Sequence, residues 1–199
     1  GFERELKTRI LQAIPHASIQ GNINKDVVDR INESLMLNSN VLGSAPYIET
    51  QGLLSSGTYL KGVYIFGVDP QHEKNVSTIE NHFVEGSLGS LQDNNYNLVI
   101  GDILAIQLGL RVGDSVNILV PETALGLAGI LPRTKKFKIT GIFSLGAPEI
   151  DQSYVYLNID NASKLLRTGE YVHGIRIRYS NLFNSKDNIK SDLLRINKQ

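Results

Sequence analysis

Near its end the chain reads Gly174–Ser180, GIRIRYS, a strict alternation of apolar and polar residues. It then enters a stretch that opens at Ser185 and carries Ile189, Leu193, Leu194 and Ile196. Alternation with period two is the mark of a strand, and apolar spacing near 3.6 the mark of an amphipathic helix. The same texture fills residues 1–49, whereas the residues between read mostly as strands and turns. Few folds accommodate that order. The expected class is α+β: a split α/β domain built from both chain ends, residues 1–49 and 171–199, with a β-rich domain, residues 50–170, inserted in it. Insertion of this kind needs the two crossing points to lie close together, and paired strands would bring them there.

The first part predicts a helix in GFERELKTRILQAIP, where Phe2, Leu6, Ile10 and Leu11 share a face and Pro15 ends the run. A short strand HASIQ follows, then a helix capped by Asn24 with the stripe Val27, Val28, Ile31 and Leu35, then a strand VLGSAPYIE. In the middle, QGLLSSGTYLKGVYIFGV predicts a hairpin turning at Ser56-Gly57. Residues 70–96 lack a clear period and are expected to be irregular, apart from a short helix near Ile79 to Val84. NLVIGDILAIQLGLRVGDSVNILV reads as strand, helix ending at Gly109, turn at Gly113-Asp114, and strand. KFKITGIF and SYVYLNI are further strands, and Asp160 or Asn161 is expected to cap a helix running through Leu166.

Charge and composition narrow the function. Twenty Lys+Arg balance twenty Asp+Glu, so a broad electrostatic partner such as duplex nucleic acid is not expected. No apolar run reaches the roughly 18 residues of a membrane span, and no cleavable signal is visible. The chain starts at Gly1 rather than Met, so a piece of a longer protein is expected. Cysteine is absent, which excludes disulfides and thiolate chemistry and leaves the compartment open. His16, His72, His82 and His173 are scattered without helical pairing, so no metal site is expected. Glu149 and Asp151 flank Ile150 and would share a face on a strand, but a solvated turn is the more economical reading. No G-x-S-x-G elbow and no phosphate loop appears. No catalytic residue, cofactor or metal is expected.

One stretch stands apart. In VPETALGLAGILPRTKKF, residues 124–131 carry no charge and no hydrogen-bonding side chain; Pro121 and Pro132 frame them, and Arg133, Lys135 and Lys136 follow. Three readings compete: a short buried helix, weakened by two glycines at about 1 kcal/mol each; a hairpin folded back on its own domain; and a loop presented to a partner. Presented, such residues would expose on the order of 400 Å², the scale of an interaction patch. Their burial would yield roughly 10 kcal/mol at about 25 cal/mol per Å², less an association cost of about 4 kcal/mol or more. The basic run beside the apolar centre favours presentation.

Several ordered blocks carry a resemblance: GFERELKTRIL, LVIGDILAIQLGLRVGDSVNILVP and LPRTKKFKITGIFSLGAPEIDQSYVYLNIDNASKLL. Together they resemble the LolC/LolE family, membrane subunits of the lipoprotein-releasing ABC transporter with a MacB-like extracytoplasmic domain. The resemblance implies a Porter-like part from both chain ends, an inserted Sabre-like part, and a location on the periplasmic face of the Gram-negative inner membrane. It implies a second membrane subunit and separate ATPase subunits as partners, lipoprotein cargo, and no catalysis in this domain. It further implies that a Hook hairpin loop at 121–132 enters the periplasmic lipoprotein chaperone LolA. The residues that match are Pro121, Leu125, Leu127, Ala128, Gly129, Ile130, Leu131 and Pro132, with Arg133 and Lys135 at the root. The family's Pro-Met-Gly tip falls on Leu127, Ala128 and Gly129, so only the glycine is kept. Of the family's polar Pad, Lys135 keeps a basic charge, whereas Thr134 and Asn117 do not. The subunit type (LolC-type, LolE-type or a hybrid) stays open, the apolar tip arguing for Hook use. The competing implication is a MacB-like efflux relative whose domain touches an adaptor protein.

Overall fold

A computed structural model of the chain describes residues 17–93, 95–121, 132–180 and 185–196, the last stretch by backbone alone up to residue 189. The helix expected in residues 1–14 lies outside these.

The strand β1 (Ala17–Asn24) leads directly into α1 (Lys25–Met36) because the Asn24 side chain accepts a hydrogen bond from Asp26 N at 2.9 Å, satisfying an open donor of the first turn. Val28, Ile31 and Leu35 bury one face of α1. The next strand, β2 (Val41–Ser56), is sixteen residues long and passes through the expected domain boundary at residue 49/50 without a break. Its first part pairs with β9 (Tyr171–Tyr179), and β9 pairs on its other side with β1. The α6 helix (Ser185–Ile196) packs against α1, and its buried Asp192 accepts a hydrogen bond from Tyr179 Oη at 2.9 Å. Tyr47 of β2 lies opposite Gly174 of β9, so the two strands on which the expected boundaries fall are paired.

The second part of β2 belongs to a ring. It turns through Gly57-Thr58 into β3 (Tyr59–Val68), with Ser56 opposite Tyr59. Gly57 takes φ +58°, a left-handed value that a side chain disfavours. Then β3 pairs in parallel with β8 (Tyr154–Asn158), β8 with β5 (Asn97–Gly101), β5 in parallel with β7 (Arg133–Phe143), β7 with β6 (Ser115–Val120), and β6 back with β2. Six strands thus close on themselves. The seam is tight: a Cβ on Gly52 would stand 2.6 Å from the Leu119 carbonyl oxygen. Leu54, Ile65, Ile100, Ile118, Phe137, Ile139 and Leu157 fill the interior. Outside the wall, Val68, Val99, Phe143 and Tyr156 form a second cluster with Ile79, Leu88, Leu91 and Ile150.

Three local readings are corrected. Residues 70–96 are more ordered than their composition suggests: α2 (Pro70–Val76) starts on Asp69, whose side chain accepts from Gln71 N at 3.0 Å, with Pro70 in the first turn, and a short β4 (Phe83–Gly86) pairs with β7. After α3 (Asp102–Leu108), the helix α5 (Ile159–Leu166) is capped by Asn158, not by Asp160 or Asn161; Asn158 accepts from Asp160 N at 2.8 Å. Asp151, at the end of the single turn α4 (Pro148–Asp151), is not solvated but buried, where it accepts from the backbone N–H of Leu145, Gly146 and Ala147.

The alternation in GIRIRYS also misleads at one residue. Arg176 is buried and pairs with Glu73 of α2 at 3.1 Å, tying that helix to β9. Burial raises the Glu73 carboxyl above its ordinary range, and Arg176 opposes that shift.

Candidate functional site

The proline-framed stretch joins β6 to β7. These strands pair in unbroken antiparallel register from Ser115↔Lys138 to Val120↔Arg133, so both framing prolines follow directly from the last stem pair. Pro121 and Pro132 are exposed. Leu125, Leu127, Ala128, Gly129, Ile130 and Leu131 lie outside the described residues.

The stem sorts its side chains by strand alternation. Val116, Ile118 and Val120 of β6 and Phe137 of β7 point inward and are buried. Ser115, Asn117 and Leu119 take the opposite face of β6, and their partners Lys138, Lys136 and Thr134 take that face of β7. Thr134 and Asn117 therefore share one outward face. Lys135 belongs to the other, where its ammonium sits 4.2 Å from the centre of the Tyr96 ring. Tyr96 in turn packs edge-on against Phe137 with centroids 5.5 Å apart. Its backbone takes φ +58°, uncommon for a residue with a side chain. Two hydrogen bonds hold it there: Tyr96 N donates to Asn161 Oδ1 at 3.2 Å, and Tyr96 O accepts from Lys138 N at 3.0 Å. A shallow hollow of about 390 Å³ opens beside them, lined by Asn95, Tyr96, Asn117, Thr134, Lys135 and Lys136 among others.

Arg133 turns the other way. Its Nη1 donates to the Leu165 carbonyl oxygen, in the last turn of α5, at 3.2 Å. A cation is favoured there, because the final carbonyls of a helix lack partners. Of the two root cations singled out in the sequence, Lys135 is exposed and Arg133 only half-buried against the body of the fold.

Sequence reasoning missed Tyr96 and Lys138 as members of this surface, and counted Lys136 in the basic run but not among the matched root residues. For the lysines the signal was present: with Phe137 inward, its neighbours at 136 and 138 must face out. For Tyr96 there was none, because its position depends on contacts with α5 and β7.

Among the described residues, no group of three His, Asp or Glu side chains comes close enough to hold a metal ion, and no helix is long and apolar enough to cross a membrane. Glu149 and Asp151 end up in different surroundings, the first exposed and the second buried.

A family model described as the MacB-like periplasmic core domain matches residues 2–189. The chain belongs to that family. Within it the chain is a member of the LolC/LolE group. It is 34% identical, over 97% of its length, to "Lipoprotein-releasing system transmembrane protein LolC" of Xylella fastidiosa (strain Temecula1 / ATCC 700964), and covers 46% of that protein. It is 28% identical, over 94% of its length, to the LolE protein of Haemophilus influenzae, again covering 46%. The chain therefore spans about half the length of the curated relatives it matches. Two solved structures share its fold. The periplasmic region of MacB from Actinobacillus actinomycetemcomitans aligns with a TM-score of 0.55 at 17% identity, over 89% of this chain and 74% of that one. The extracellular domain of the noncanonic ABC-type transporter YknZ from Gram-positive bacteria aligns with a TM-score of 0.60 at 10% identity, over 89% and 83%. At those identities the likeness is one of fold.

Proposed function

We propose that this LolC/LolE-family chain is the periplasmic domain of a membrane subunit of a lipoprotein-releasing ABC transporter, and that residues 121–132 recruit the periplasmic lipoprotein chaperone. In this reading the domain is non-catalytic; ATP is hydrolysed by separate ATPase subunits, and a second membrane subunit completes the transporter. The cargo is a lipoprotein bound for the outer membrane. Residues 1–49 and 171–199 form the Porter-like part and residues 50–170 the Sabre-like part carrying the loop.

The observation that supports this most is the stem. The register Val120↔Arg133 brings the two ends of the 121–132 stretch side by side on a paired stem, and eight consecutive residues between them, 124–131, carry no charge. Two prolines fix φ at its root and lower the ordering cost of binding. A chaperone that holds acyl chains has an apolar cavity, and the uncharged residues 124–131 suit its mouth. Lys135, with Lys136 and Lys138 on the opposite face of the stem, adds positive charge that would speed encounter with an acidic rim.

Calorimetric titration of the 199-residue chain with the periplasmic chaperone of the same organism tests the reading. Saturable binding is expected, with Leu127→Asp reducing it by about a hundredfold or more, as befits a charge carried into an apolar cavity. Unchanged binding by Leu127→Asp contradicts it. The fold shared with the MacB periplasmic region favours a second reading, contact with an efflux adaptor. Adaptor binding without chaperone binding would establish that one instead.

A further inference from the structure

A second surface of the barrel, on the outside of β2, β3 and β8, has the makings of a binding site. Glu49 and Gln51 of β2 face outward beside Phe66 and Tyr64 of β3, which in turn neighbour Tyr156 and Tyr154 of β8. Together Glu49, Thr50, Gln51, Tyr64, Phe66 and Tyr154 line a hollow of about 450 Å³. Its rings are set at angles to one another: Tyr64 and Tyr154 meet edge to face at 5.7 Å, and Phe66 is tilted against Tyr154 at 4.8 Å. Tyr64 is 46% exposed, so ring surface is open to an incoming group.

The chemistry of this wall selects a cation. Aromatic faces carry negative quadrupole charge, and three rings beside a carboxylate attract a guanidinium or ammonium group. The protein already uses one of these rings in this way: the Arg176 guanidinium lies 5.4 Å from the Phe66 ring, and 4.9 Å from the ring of Tyr47, which is not part of the hollow. Glu73, at 3.1 Å, matches that internal charge. Glu49, in contrast, is exposed and has no ion-pair partner among the described residues. Its backbone is fixed against β9, since Glu49 N donates to His173 Nδ1 at 3.1 Å, and the residue lines the hollow.

We infer that this hollow is a docking site for a basic side chain, arginine before lysine, projecting from a partner polypeptide. Arginine is preferred because its flat guanidinium stacks on a ring while its edge pairs with a carboxylate. None of the described residues lining the hollow belongs to the 121–132 stretch, and the inference does not rest on chaperone recruitment.

Titration of the 199-residue chain, followed by NMR, with an end-blocked Gly-Arg-Gly peptide and with its Gly-citrulline-Gly counterpart tests the inference. Citrulline keeps the shape and removes the charge. Saturable shifts of the Tyr64 and Tyr154 ring signals are expected with the arginine peptide, and binding roughly tenfold weaker with citrulline. Glu49→Gln should weaken the arginine peptide roughly fivefold, and Tyr64→Ala by a similar factor, while Tyr59→Ala at the distant hairpin turn changes nothing. Glu49, Tyr64 and Tyr59 are all exposed, so these variants are expected to fold, which circular dichroism checks. Equal binding of both peptides, indifference to Glu49→Gln, or no saturable shift at all would overturn it.

Discussion

Two hairpins of the same barrel solve one problem in different ways. Both β2–β3 and β6–β7 are antiparallel pairs in unbroken register up to their last residues. The first closes with Gly57-Thr58, the minimum a hairpin requires. The second inserts residues 121–132 between partners that are already side by side. Chain closure explains the first and leaves the second unexplained, because a longer loop only adds entropy cost, about 0.6 kcal/mol for each doubling. A loop of that length with eight consecutive uncharged residues, 124–131, calls for a use other than folding. This contrast is the physical basis for reading β6–β7 as a docking element and β2–β3 as a structural turn.

The contrast can be broken most severely by exchanging one hairpin's solution for the other's. Replacing residues 122–131 by Asn-Gly should abolish chaperone binding in a calorimetric titration, while thermal melting shows a fold no less stable, and more stable by about 1 kcal/mol if loop entropy dominates. A loss of folding would instead give the loop a structural role. Next in size is damage to the stem. Phe137 is buried at the meeting of the barrel interior and the Tyr96 ring, so Phe137→Ala should cost about 3–5 kcal/mol in denaturant unfolding. At the other hairpin, Gly57→Ala forces a side chain into φ +58° and should cost about 1 kcal/mol of stability, with chaperone binding untouched. Smallest is Lys135→Met. Its ammonium is exposed and rests on one ring, so stability should fall by at most about 1 kcal/mol. The association rate measured by stopped flow should drop several-fold at low salt, and less at high salt where screening is complete.

Where the sequence was readable, the determinants were local. The helix start at Asn24, the hairpin near Gly57 and the strand–helix–strand run from Asn97 to Val120 each depend on residues within a few positions of one another. The same local logic could have found α2, since Asp69-Pro70 is a helix start written in two residues, but the polar run behind it hid the signal. Closure of the barrel was not readable, because the parallel pairings β3–β8 and β5–β7 join segments far apart in the chain. Arg176 illustrates the same limit: alternation assigns it to a wet face, and only the distant Glu73 makes its burial tolerable. At the candidate site, the framing prolines and the basic run were plain in the sequence. The sorting of Lys135 from Thr134 and Asn117 onto opposite faces followed from register, and the turn of Arg133 toward Leu165 required the fold.

The central claim is tested most directly by photocrosslinking in cells that make the whole transporter. A benzophenone side chain placed at Leu127, midway along the 121–132 stretch, should give a covalent adduct with the periplasmic chaperone on irradiation. The same group at Thr58, in the tight turn, should give none. Adducts of equal yield from both positions, or their absence at 127 with chaperone present, would contradict the account.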